Sequence, residues 1–171
     1  MSHGSVSQII PAPSAAVFEL LHDYSRRLEW DTLLSAAYLD DGHAAAGKGA
    51  TSVCVGRWYL GRIALKTEYV RYDPPRLAAV KMINRPPLFE SWAASIHHED
   101  LDERSSRVTY TWTFTARPRW LRWLLEPVMN RLFRIETRKR LAALARFLAA
   151  GTIGKAGNLP YEMRSARQAS S

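Results

Sequence analysis

The stretch RVTYTWTFTA, residues 107–116, alternates without a fault. Val108, Tyr110, Trp112 and Phe114 fall on one side of an extended chain, and Thr109, Thr111, Thr113 and Thr115 on the other. Successive side chains of a strand point to opposite faces, so this segment has one face for a core and one for solvent, as in an antiparallel sheet covered on one side. Directly after RPRW the period changes. Leu125, Met129, Phe133, Thr137, Leu141, Leu144 and Leu148 recur at steps of four and three, with Val128 and Leu132 widening the stripe, which predicts a long amphipathic helix to about Ala150. Pro127 lies inside this pattern and predicts a kink or break between WLRWLLE and the long helix.

The rest of the chain supplies the sheet that such a helix would cover. SVSQII reads as a strand ending at Pro11; PAPSAAVFELLHDY follows as a helix with Ser14 as N-cap and Val17, Phe18, Leu20 and Leu21 on its apolar face, and a second short helix is expected from about Ser25 to Leu33. Strands are then predicted around SAAYLDD, in TSVCVGRWYLG after a glycine-containing turn at Gly42 to Gly49, in GRIALKTEYVRY, in RLAAVKMIN and in LFESWAASIHHEDL. In GRIALKTEYVRY, Ile63, Leu65, Thr67 and Tyr69 share one face. The order predicts an α+β domain: a curved antiparallel sheet of about seven strands wrapped around the long C-terminal helix, with two short helices after the first strand. Residues 5–149 form this single domain and 150–171, which lose all periodicity, an extension.

That order and its local sequence resemble the START-like, or SRPBCC, superfamily with its helix-grip fold, and within it the polyketide cyclase/dehydratase-like branch. The stretches that carry the resemblance are IPAPSAAVFELLHDYSRRLEWD, GKGATSVCV, EYVRYDPPRLAAV and ETRKRLAALARFL, which together span roughly residues 5–149. The resemblance implies a deep cavity between sheet and C-terminal helix that binds a hydrophobic small molecule or lipid. In some members the cavity catalyses cyclisation or dehydration. No family-wide catalytic motif is present to be carried over residue by residue.

A sheet wrapped on one helix leaves space between them, and such a space is the default ligand site. Trp30, Tyr69, Trp92, Trp112, Phe114, Met129 and Phe133 are the candidate ligand-binding residues, with Trp30 expected near the rim. For an aromatase/cyclase-type enzyme working in the same cavity the candidate catalytic groups are Glu90, His98 and Tyr110. Strict alternation would put Glu90 on the face of Trp92, Ala94, Ile96 and His98, where a desolvated carboxylate can act as general acid or base. The ordinary reading of Glu90 is an exposed carboxylate beside RPP. Adjacent His97 and His98 point to opposite faces of a strand and cannot chelate one metal together, so no metal site is expected, and no motif calls for a cofactor. The charged cluster LHDYSRRLEWD reads as charges that cap and solubilise two short helices, with Asp23 and Asp31 as caps.

Net charge is +8, but its distribution matters more than its sum. Residues 1–116 hold 12 basic and 13 acidic side chains, whereas residues 117–146 hold 9 and 2. That helix, with Trp120 and Trp123 among its arginines, could dock on an anionic membrane surface; the ordinary reading is a solvated outer face. Nucleic acid is the weaker use of the charge, because no helix-turn-helix, RNA-binding aromatic motif or zinc finger accompanies it. The lone Cys54 fits a reducing compartment and no charged-then-apolar leader precedes Val6, so the expected location is cytoplasmic, with peripheral membrane contact at most.

Overall fold

The alternating segment is strand β7, Ser105–Ala116, and it lies second from one edge of a seven-stranded antiparallel sheet. The structure is a computed structural model, and it describes residues 1–157. Strands β1 (Ser2–Ile10), β2 (Leu34–Asp40), β3 (Thr51–Gly56), β4 (Ala64–Asp73), β5 (Leu77–Met82) and β6 (Phe89–Asp102) complete the sheet in the order β1-β7-β6-β5-β4-β3-β2. Every sequential pair from β2 to β7 is a hairpin. The exception is the step from β1 to β2, which spans the sheet from edge to edge through helices α1 (Ser14–His22) and α2 (Arg27–Trp30).

Helix α3, Arg122–Gly157, packs against β1 and β7. Its apolar stripe meets the inner face of β7: Met129, Leu141 and Leu144 are buried with Val108, Trp112, Phe114 and Trp92 in one core. Trp112 anchors this seam, because its Nε1–H donates to Asn130 Oδ1 at 2.9 Å while Asn130 Nδ2 donates to the His3 carbonyl at 3.0 Å. A single asparagine thus ties helix, β7 and β1 together. Gly4 makes the close approach possible, since a Cβ there would lie 2.4 Å from Trp112 Cζ2. Phe18, Ala50, Tyr69 and Ala78 form a second, smaller cluster under α1.

Three expectations change in detail. Ser14 does not cap α1 with its side chain; Pro13 is the N-cap, and the Ser14 N–H and hydroxyl both donate to the Asp100 carboxylate, at 2.7 and 2.8 Å. A carboxylate from β6 therefore faces the positive end of the helix, where negative charge is favoured. Pro127 neither breaks nor ends α3, because it sits in the second turn, on the exposed side, where its missing N–H forfeits one hydrogen bond just past the four N–H groups that have no helical partner anyway. The short helical turn Arg119–Leu121 precedes it. Finally, α3 runs past the expected end near Ala150 to Gly157; the remainder of the expected extension lies outside the described residues.

Candidate functional site

Between the inner face of the sheet and α3 lies a cavity of about 440 Å³. Its walls follow from period two on the strands and period 3.6 on the helix. Leu65, Thr67 and Tyr69 enter from β4, Val80 from β5, Trp92 and Ile96 from β6, Tyr110 from β7, and Met129 and Phe133 from α3. Tyr59, Leu88 and Leu132 line the cavity and are also 48%, 41% and 44% exposed, so they mark its mouth. The other end is closed by α1, α2 and the turn between them.

That closed end is polar. Asp31, at the end of α2, is buried, and its Oδ2 accepts from Arg27 Nε at 3.0 Å and from Arg140 Nε and Nη2 at 3.1 and 2.8 Å. Its Oδ1 accepts the Leu33 N–H at 3.1 Å, and Arg27 Nη1 donates to the Leu21 carbonyl. Arg27 also lies over the Trp30 ring at 4.8 Å, and Arg140 against Tyr110 at 5.9 Å. Burial alone would raise the Asp31 carboxyl, but Arg140 and then Arg27 outweigh it and hold it below the usual carboxylate range. Burial likewise works against the charge of both arginines, and Asp31 reverses the effect. Beside this triad His22 Nδ1 and the Tyr69 hydroxyl share a hydrogen bond of 2.8 Å, and Tyr69 and Tyr24 one of 3.1 Å. Burial pushes the His22 imidazole well below its ordinary value and the Tyr24, Tyr69 and Tyr110 phenols above theirs, so all four are neutral near pH 7.

Of the residues expected to meet a ligand, the structure brings Tyr69, Trp92, Met129 and Phe133 to the cavity wall. Trp112 and Phe114 stand behind that wall, each 1% exposed and packed beside Phe133 at 6.1 and 5.5 Å. Trp30 is not at the rim but buried, with Arg27 across its face. Of the catalytic candidates, Tyr110 faces the cavity. His98 shares the inner face of β6 with Trp92, Ala94 and Ile96 but packs edge-on against Phe18 at 5.1 Å, behind the wall. Glu90 is exposed and outside the cavity: the ladder between β6 and β7 slips at Phe89 to Ser91, which turns position 90 outward while position 92 keeps its phase. The desolvated carboxylate required of a general base is absent there.

The cluster LHDYSRRLEWD proves to be part of the cavity after all. His22, Tyr24 and Arg27 line it, Asp31 stands behind Arg27, Asp23 ends α1 as its C-cap and accepts from Ser25, and Arg26 and Glu29 behave as surface charges, paired at 3.2 Å while about half exposed. Arg140 likewise leaves the solvated face to which the basic run assigned it. A signal for it existed. Position 140 lies three residues after Thr137 and four before Leu144, so it falls on the apolar stripe.

The curved sheet, the gripping helix and the cavity between them define the helix-grip class. The chain belongs to the family described as polyketide cyclase/dehydrase and lipid transport, whose model matches residues 1–149. No curated protein matches it by sequence. Among solved structures it is similar to a START superfamily protein from Mycobacterium smegmatis, with 8% identity and a TM-score of 0.73 over 86% of this chain and 97% of that one. It is also similar to the Zhui aromatase/cyclase from Streptomyces sp. R1128, with 17% identity and a TM-score of 0.68 over 84% and 91%. A third likeness is to norcoclaurine synthase from Thalictrum flavum, with 11% identity and a TM-score of 0.63 over 87% of each chain. At these identities the likeness is one of fold.

Proposed function

We propose that the protein binds, and carries, a hydrophobic small molecule or lipid in the cavity between sheet and α3. The observation that supports this reading is the cavity itself: about 440 Å³ of space walled mainly by Leu, Ile, Val, Met and aromatic side chains. Apolar surface of that extent gains by being covered, at roughly 25 cal/mol per Å². Organic extracts of the purified protein, analysed by mass spectrometry, should contain a bound apolar compound, and returning it should raise the melting temperature by mass action. Empty extracts, together with no thermal shift from any apolar compound, would rule the reading out. An aromatase/cyclase working in the same cavity would have Tyr110 on hand for proton transfer, without Glu90.

A second reading, docking on an anionic membrane, is favoured by the surface around the mouth. Trp58, Trp120 and Trp123 are 75–80% exposed, and Leu124, Val128 and Leu132 continue the apolar strip along α3 at steps of four. Exposed Arg57, Arg62, Arg85, Arg119, Arg131 and Arg134 accompany them. Among the described residues no helix is long and apolar enough to cross a membrane.

A further inference from the structure

The closed end of the cavity holds more positive charge than its own carboxylates balance. Arg27 and Arg140 share the single Asp31, and they do so through one oxygen, Oδ2. Glu136 also lines the cavity, one turn before Arg140, but its Oε1 is held by Lys139 Nζ at 2.8 Å, so this second pair is self-balanced. Lys139 is largely exposed and does not line the cavity, so the excess of positive charge is local to Asp31, where two guanidinium groups meet one carboxylate. A buried pair needs one guanidinium, and a second one taken out of water is costly unless something else compensates it.

Direction decides what that something is. Asp31 has no exposed side-chain surface and does not line the cavity, whereas Arg27 and Arg140 do, so the carboxylate stands behind and the guanidinium groups stand in front. Their bonds to Asp31 and Leu21 use Nε and Nη1 of Arg27 and Nε and Nη2 of Arg140; Arg27 Nη2 and Arg140 Nη1 take no part in them. A planar guanidinium suits a carboxylate better than any other side chain does. Tyr24, Tyr69 and Tyr110 hydroxyls surround the same end; the Tyr69 hydroxyl is engaged between His22 and Tyr24, and the neutral Tyr110 phenol keeps a proton to donate to an anion. From this end the cavity runs toward Leu132, eight residues and so about 12 Å along α3 from Arg140, at the apolar mouth.

We propose that the cavity takes an amphipathic monoanion, an apolar body ending in a carboxylate that is received head first between Arg27 and Arg140. This rests on the reading of the cavity as an apolar ligand site and adds the chemistry of the head. The apolar body can come from an aliphatic chain or from a fused aromatic, and both are served by the same polar end.

Two matched pairs of probes test it on the full-length protein: hexadecanoic acid against hexadecanol, and pyrenebutyric acid against pyrenebutanol, each titrated by isothermal calorimetry at neutral pH. At least one acid should bind tenfold or more tightly than its alcohol, and the pair that shows the preference identifies the apolar body as aliphatic or aromatic. Alcohols that bind as tightly as their acids overturn the anionic head and leave the apolar site standing. If neither pair binds, the apolar site falls with it. A second arm replaces the whole triad, Arg27→Met, Asp31→Leu and Arg140→Met, because exchanging a buried ionic cluster for apolar side chains of similar size preserves folding where removal of one partner does not. In this variant the preference for the acid over its matched alcohol should vanish, read as the ratio of the two affinities. An acid preference that survives the exchange overturns the assignment to Arg27 and Arg140.

Discussion

Asp31, with no exposed side-chain surface of its own, holds two guanidinium groups on one carboxylate oxygen, which makes it the most heavily committed side chain among the described residues. Replacing it with alanine would leave the buried Arg27 and the largely covered Arg140 uncompensated, and removing one partner of a buried ion pair costs about 3–5 kcal/mol. Urea unfolding of Asp31→Ala should show a loss of that size, while Arg26→Ala, five positions away, should change stability by less than about 0.5 kcal/mol because its partner Glu29 is exposed. A loss under about 1 kcal/mol for Asp31→Ala would mean that the triad is slack. Acid should act through His98 as well. Burial holds its imidazole down to about 4, so between the unfolded value near 6.5 and that point the unfolded chain binds more protons than the folded one. Stability therefore falls as pH drops through this window, by on the order of 3 kcal/mol at its foot. Asp31 adds in the same direction lower down, its contribution being present above the ordinary carboxylate value and lost as pH falls through its depressed one. Unfolding curves at pH 7 and pH 5 should separate in the wild type and the gap should narrow in His98→Leu, with the part due to the equally buried His22 remaining; an unchanged gap would remove His98 as a cause. Sequence alone could not show this chemistry. Arg27 and Asp31 stand at the spacing of an ordinary surface pair on a one-turn helix, and the partner that proves them buried arrives 109 positions later.

At the scale of elements, a period is legible when nothing interrupts it. The face of Val108, Tyr110, Trp112 and Phe114, the face of Ile63, Leu65, Thr67 and Tyr69, and the central stripe of α3 emerge as the alternation required, because a strand or helix with one covered side must write that side into its sequence; Val128 and Leu132, expected to widen the stripe, are exposed instead. Interruption is where reading fails. Glu90 lies on the far side of a register slip that strict alternation cannot contain, and Ser14 is held by a carboxylate of β6, 86 positions away, rather than capping its own helix. Close approach is equally silent in sequence: Gly4 sits mid-strand for a reason that only the packing of α3 on β1 and β7 gives. Alanine there would place its Cβ 2.4 Å from Trp112 Cζ2 and 2.8 Å from Asn130 Oδ1, and neither ring nor amide can yield without breaking the bond between them. Gly4→Ala should lower stability by about 1–3 kcal/mol, the usual cost of overpacking. A neutral effect would mean that the seam between α3 and β1 can open without penalty.

For the molecule as a whole, the question raised by the proposed function is how an apolar ligand would reach a cavity whose mouth carries exposed Tyr59, Leu88 and Leu132. The exposed tryptophans and leucines come from two segments, Trp58 and Tyr59 from the turn after β3 and Trp120, Trp123, Leu124 and Val128 from the start of α3 and the turn before it, while Tyr59, Leu88 and Leu132 line the cavity itself. Arg117 ties the segment after β7 to the loop between β5 and β6, donating to the Arg85 carbonyl from Nη2 and to the Leu88 carbonyl from its backbone N–H. A surface of aromatic and basic residues around an opening suits a bilayer interface, where indole rings sit at headgroup depth and arginines meet anionic lipid. If the mouth faces the membrane, both segments must contribute. The full-length protein should co-sediment with vesicles containing phosphatidylglycerol, lose that binding as salt shortens the Debye length, and ignore pure phosphatidylcholine. Trp120→Ala with Trp123→Ala, and Trp58→Ala separately, should each weaken binding several-fold without lowering the melting temperature, since all three rings are solvent-exposed in the folded protein. Equal binding to neutral vesicles at high salt would refute the electrostatic part. Binding that depends on the α3 tryptophans but not on Trp58 would place the helix on the membrane and turn the mouth away from it, and the ligand would then have to reach the cavity through water.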